Sequence, residues 1–148
     1  MLPSRSLRSV SPAEWRMLIG VVPVIVAVRA GLSLWPFKQL VRILRATAER
    51  LPGSEGASPD RIHRIAWAVN AAGSRLLGSK PCLTQALVVQ FLLWRHEVET
   101  ELRIGVDKDG DGKLLAHAWV VWEGEVIIGG RLSEVKYRKL PNLQDKLA

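Results

Sequence analysis

Two hydrophobic periods divide the chain. Up to about Glu97, apolar residues recur every three to four positions; beyond it they alternate every second position. Ser11-Pro12-Ala13-Glu14 reads as a helix start. Ser11 can cap free N–H groups, Pro12 suits the first turn, and Glu14 can reach back to close a capping box. The helix that follows is apolar almost all round, which predicts burial. Trp35-Pro36 breaks the chain, and Phe37, Leu40, Val41 and Leu44 carry a second helix to Arg50. Leu51 to Ala57 is a turn-rich linker. Ser58-Pro59-Asp60 opens a third helix with Ile62, Ile65, Ala66, Val69 and Ala72 on one face. Gly73 and Gly78 predict where it weakens and stops. A fourth helix begins at Cys82, after Ser79-Lys80-Pro81, and runs to about Glu97 through Leu83, Ala86, Leu87, Gln90, Phe91 and Trp94.

The alternating part predicts strands. Leu102, Ile104 and Val106 alternate with Arg103 and Gly105, and Leu115, His117, Trp119 and Val121 share one face of the next strand. Trp122-Glu123-Gly124-Glu125 predicts a tight hairpin into Val126-Ile127-Ile128. Helices followed by a three-strand antiparallel meander make an α+β fold, with N-terminal helices packed on a small sheet. At 148 residues the chain is one domain, residues 1–57 being the helical part and 58–148 the core. The first ten residues read as a loose tail, and the stretch from Ser133 as a polar, basic one.

Composition narrows the chemistry. A lone cysteine suits a reducing compartment and excludes a disulfide-built module. The apolar run Met17–Val28 is interrupted by Pro23 and closed by Arg29. It falls short of the roughly 20 residues that a spanning helix needs. It therefore predicts a buried helix, at most peripheral membrane contact and a cytoplasmic protein. The net charge of +7, from 21 basic and 14 acidic residues, suits an anionic partner or simply a solvated basic surface. The basic residues are not interleaved with aromatics, so no specific nucleic-acid binding is expected.

His63, His96 and His117 lie too far apart in sequence to suggest a metal cluster. Asp107-Lys108-Asp109-Gly110-Asp111-Gly112 has the opening of a calcium loop, with acids at positions 1, 3 and 5 and glycine at 6. Its twelfth position, which should be a bidentate Glu, is Ala118, and strands flank it. It reads as a polar hairpin loop. No metal or cofactor is expected.

Cys82 and His117 are the candidate catalytic residues. A helix N-terminus carries partial positive charge, which favours the thiolate, the nucleophilic form of cysteine. Lys80 adds charge beside it, and Pro81 has no N–H to leave unsatisfied at the helix start. A cysteine that merely packs belongs on the apolar stripe in mid-helix. His117, on a largely apolar strand face, could form an ion pair with the thiolate, protonate a leaving amine and activate water. The structural alternative is a buried thiol and a backbone-bonded histidine that never meet. An orienting group for the imidazole is unassigned. Across a hairpin turning at Glu123-Gly124 stand Gly129 and Gly130, so a backbone carbonyl, a water or a distant acid must serve.

A resemblance sharpens this picture. Cys82-Leu83-Thr84-Gln85-Ala86-Leu87, Leu102-Arg103-Ile104-Gly105-Val106, Ala116-His117-Ala118-Trp119-Val120 and Ile127-Ile128-Gly129-Gly130 together resemble the transglutaminase-like domain of lasso-peptide biosynthesis. The likeness covers about Pro59 to Gly130. It implies a papain-like core and a leader peptidase, with Cys82 as nucleophile and His117 as acid/base. Some members carry an Asp about a dozen residues after the histidine, where this chain has Gly129, and a Glu four residues after it, where this chain has Val121. Larger members add an N-terminal leader-binding domain, which two helices and a linker do not match. The resemblance thus implies the split form, with a precursor peptide as substrate, a separate leader-recognition protein as partner and the lasso cyclase as a further contact. The same fold without catalysis would be a peptide-docking adaptor.

Overall fold

A computed structural model describes residues 10–53, 56–78, 82–130 and 138–139. Four helices come first: α1 (Pro12–Leu34), α2 (Phe37–Arg50), α3 (Pro59–Leu76) and α4 (Cys82–Trp94). Strands β1 (Glu101–Lys108), β2 (Leu114–Trp122), β3 (Glu125–Ile128) and β4 (Arg138–Lys139) follow. They form one antiparallel sheet in the order β3-β2-β1-β4. The α+β arrangement with a three-strand meander is present. The two-residue β4 joins β1 from a stretch whose sequence reads only as polar tail, because two residues are too few to show a strand period. The rest of that tail, and the first nine residues, lie outside the described residues.

The helix starts follow their caps. Ser11 Oγ accepts from the Glu14 N–H, while the Glu14 carboxylate accepts from the Ser11 N–H at 2.7 Å. Ser58 accepts from the Arg61 N–H ahead of Pro59. At the far end of α3, Gly78 takes φ +65°, the left-handed conformation that stops a helix.

Everything else is arranged around α4. Ten of its thirteen residues are buried. Helices α1, α2 and α3 and strand β2 all pack on it. It also ends earlier than its period predicts, at Trp94 and not Glu97, because its last turn is held by the linker after α2. The Gly53 N–H donates to the Arg95 carbonyl, Arg95 Nε donates to the Leu51 carbonyl, and Glu97 reverses the chain at φ +58°. Arg45 of α2 braces the same end. Its Nη1 donates to Glu99 at 2.9 Å, and its guanidinium stands 5.0 Å from the Trp94 ring centroid. The hydrogen bond to Glu99 raises the Arg45 pKa, and partial burial only partly opposes it.

Two expectations need correction. Gly73 does not weaken α3. It is a buried contact point where a β-carbon would come within 2.8 Å of Gln85 Cγ, so glycine lets α3 close onto the first turns of α4. There the Gln85 amide donates to the Asn70 carbonyl at 3.4 Å. The first helix has the predicted bounds but is less covered than the sequence predicts. It continues through Pro23 for 23 residues. Pro23 is exposed, so the backbone bond it cannot make, to the Ile19 carbonyl, lies on the outward side. Leu18, Val21, Ile25, Val28 and Gly31 enter the core, but Ile19, Val26 and Leu34 do not. An all-apolar helix signals burial only if partners cover every side, and here they cover one.

Replacing Gly73 by Val should overpack the α3–α4 contact and lower unfolding free energy by about 1–3 kcal/mol in urea denaturation. A neutral result would show that the contact can relax.

Candidate active site

Cys82 is the first residue of α4 and is half-buried, at the edge of the core. Its helix is apolar on all sides, so burying it fixes the thiol at a defined point. His117 sits mid-strand in β2, opposite Gly105 of β1, and is also half-buried. β2 packs on α4, so the two residues belong to directly apposed elements.

The register assigns faces. Ala118 and Val120, with Leu102 and Ile104 across from them, join the helical core. His117, Trp119 and Val121 alternate with them and occupy the other side of the strand. Trp119 is nonetheless fully buried, and its ring lies against the His117 imidazole with centroids 6.1 Å apart. β3 ends at Ile128, which pairs with Val120. At His117, therefore, β2 has a strand partner on the β1 side, and β3 no longer flanks its other edge.

The end of β3 supplies the orienting group. His117 Nε2 is 2.6 Å from the Gly129 carbonyl oxygen. A carbonyl can only accept, so Nε2 must carry the proton, and in the neutral ring the lone pair is on Nδ1. Of the carbonyl, water and distant acid that the sequence leaves open, the structure shows the carbonyl. Two features shape this end of the hairpin. The Glu123-Gly124 turn takes positive φ at both residues, 47° and 81°, as a two-residue hairpin requires. A register shift between Val120 and Val121 then leaves Ile127 as an extra residue, so the chain beyond β3 lags one position behind regular pairing and Gly129 comes beside Trp119.

Gly129 is fitted to this task. Its φ is +102°, and a β-carbon would lie 2.8 Å from Trp119 Cα and 2.9 Å from the Ala118 carbonyl oxygen. Only glycine lets the backbone come this close while its carbonyl faces His117. The only signal in the sequence is the Gly129-Gly130 pair after an apolar run.

The other candidates fall elsewhere. His63 on α3 faces Glu125 at 3.8 Å and makes a T-shaped contact with the Trp122 ring, joining α3 to the hairpin. His96 lies beside Gly53 at the opposite end of α4 from Cys82. In the Asp107–Gly112 loop the Asp109 carboxylate accepts from the backbone N–H groups of Asp111 and Lys113. This is the inward-turned carboxylate of a hairpin loop. Among the described residues no three His, Cys, Asp or Glu side chains are grouped to hold a metal ion.

A family described as the transglutaminase-like superfamily matches residues 24–142. The chain belongs to the transglutaminase-like superfamily. The matched region starts within α1 and covers every later element, so it reaches further toward the N-terminus than the likeness that begins near Pro59. Comparison with curated proteins and with solved structures gave no match. Members of the superfamily are commonly cysteine peptidases, which is the chemistry that a half-buried thiol and a carbonyl-oriented imidazole would suit. In this transglutaminase-like domain the His117 Nε2–H meets a main-chain carbonyl.

Changing Gly129 to Ala should displace the carbonyl and break the Nε2–H bond. We expect the His117 ring ¹⁵N shifts to move from a single Nε2–H tautomer toward a mixture, and stability to fall by about 1–3 kcal/mol. Unchanged ring shifts would show that something other than this carbonyl orients His117.

Proposed function

We propose that the protein is a cysteine peptidase that removes the leader from a lasso-peptide precursor. The Cys82 thiolate attacks the carbonyl carbon at the leader–core junction. The resulting oxyanion is met by backbone N–H groups at the start of α4. As the C–N bond breaks, His117 protonates the departing core amine, and the leader remains on sulfur as a thioester. Water, deprotonated by His117, attacks the thioester; the leader leaves as a carboxylate and Cys82 is regenerated. The freed α-amine is the group that a ring-closing enzyme needs. A separate leader-recognition protein would deliver the precursor in the cytoplasm, with the cyclase as the next recipient.

The observation that carries this reading is the His117–Gly129 bond. It places the proton on Nε2 and makes Nδ1 the basic nitrogen, on a strand packed against the helix that begins with Cys82. His117 lies on the strand face that alternates with the core-facing one. The reading therefore requires the ring to meet the thiol around the edge of β2 that β3 leaves open. The same alternation supports a second reading, a non-catalytic adaptor that docks peptide on this fold.

Two measurements separate the readings. With the precursor and leader-recognition protein from the same gene cluster, Cys82→Ala and His117→Ala should each lower leader release at least 100-fold by mass spectrometry, with circular dichroism unchanged. Cleavage that survives in Cys82→Ala removes the nucleophile. Alkylation of Cys82 by iodoacetamide at neutral pH should slow several-fold in His117→Ala, because the imidazolium stabilises the thiolate. Equal rates would mean that sulfur and ring do not meet, and would favour the adaptor.

A further inference from the structure

We propose that the outer face of α1 is a docking surface for an anionic lipid bilayer, on which the domain lies without crossing it. The helix is long and apolar enough to span a membrane, with a mean hydropathy of 2.2, yet only 28% of that window is buried. The buried share is all on one side. Leu18, Val21, Ile25 and Val28 recur at helical spacing and pack into the core against α3 and α4.

The opposite side is an apolar strip. Trp15, Ile19, Pro23, Val26, Ala30 and Leu34 follow one another at steps of three or four residues, and all are exposed. Ile19 is 66% exposed and Leu34 71%. At 1.5 Å per residue the strip is about 28 Å long. A contiguous apolar surface on this scale marks a membrane or protein contact.

Three features favour a bilayer. First, exposed tryptophans stand at both ends, Trp15 and Trp35, and indole prefers the boundary between headgroups and acyl chains. Secondly, the strip has little need of water. Ser33, beside the strip, turns its hydroxyl back to the Arg29 carbonyl at 3.4 Å. Thirdly, the charge is complementary. From Pro12 to Arg50 the chain carries six basic residues and two acidic ones. Glu14 is engaged in the capping box, and Glu49 is paired with Arg45 at 3.2 Å. Arg16, Arg29, Lys38, Arg42 and Arg50 are exposed. On α1 itself, the long side chains of Arg16 and Arg29 can lay the aliphatic stem on the apolar layer and keep the charge among phosphates.

Insertion across the bilayer is excluded by the same residues that build the core. Pulling Val21, Ile25 and Val28 into lipid would strip α3 and α4 of their partner. Docking is therefore limited to the outer half of the helix, the depth at which amphipathic interfacial helices lie.

The test is co-sedimentation of the full chain with vesicles of phosphatidylglycerol and phosphatidylcholine, against phosphatidylcholine alone. We expect binding to the anionic vesicles, much weaker binding to the neutral ones, and a fall in partitioning of about tenfold or more in the double variant Ile19→Glu/Val26→Glu. Circular dichroism of the variant should match that of the parent, since neither side chain enters the core. No binding to anionic vesicles leaves the strip to a protein partner and overturns the proposal. Binding that the double variant retains would place the contact on another basic surface and also overturn it, as would equal binding to both vesicle types. Sedimentation in the absence of lipid supplies the remaining outcome: a dimer that Ile19→Glu dissociates assigns the strip to a second copy.

Discussion

The burial of α4 is the constraint on which the rest of the structure depends. A helix apolar on every side cannot sit on a surface, so other elements must enclose it. Three helices and the sheet do so. Because the enclosure is nearly complete, the position of its first residue is fixed by packing and not by a flexible loop. Cys82 therefore sits where a buried rigid element emerges at the edge of the core. That is the way a reactive group is best held, since a site on a rigid element keeps its geometry without further cost in entropy.

Small residues set how closely the enclosing parts approach. Gly73 admits Gln85, and Gly31 admits Leu40, where a β-carbon would meet the leucine side chain within hard contact. Gly129 does the same at the sheet end, where the demand is stricter because its backbone conformation is also left-handed. In each case the glycine is a matter of tertiary contact. At Gly78, Gly112 and Gly124, by contrast, it is the local turn that requires one.

His117 illustrates how a backbone can take a side chain's place. The Gly129 carbonyl fixes the ring tautomer as a carboxylate would, but it is neutral and supplies no counter-charge to an imidazolium. In an ion pair with a thiolate, the positive end of α4 would favour the charge on the sulfur. The site and the exposed α1 strip are independent: one depends on β2 and the start of α4, the other on the outward side of a helix that supports α4 from behind.

The sequence by itself determined the elements. The caps at Ser11 and Ser58, the helical stripe of α2, the change of period after α4 and the Glu123-Gly124 turn are all local signals, because each depends on residues within a turn or two of one another. The two candidate catalytic residues were legible for the same reason, as a cysteine at a helix start and a histidine in an alternating strand. Tertiary structure decided what local periods cannot encode. It showed which side of α1 finds partners, that Gly73 serves packing, that β4 pairs with β1, and that the Gly129 carbonyl, beyond a bulge at Ile127, meets His117. Each of these depends on the distance between segments far apart in the chain. A period records which way a side chain points, but not what waits for it there.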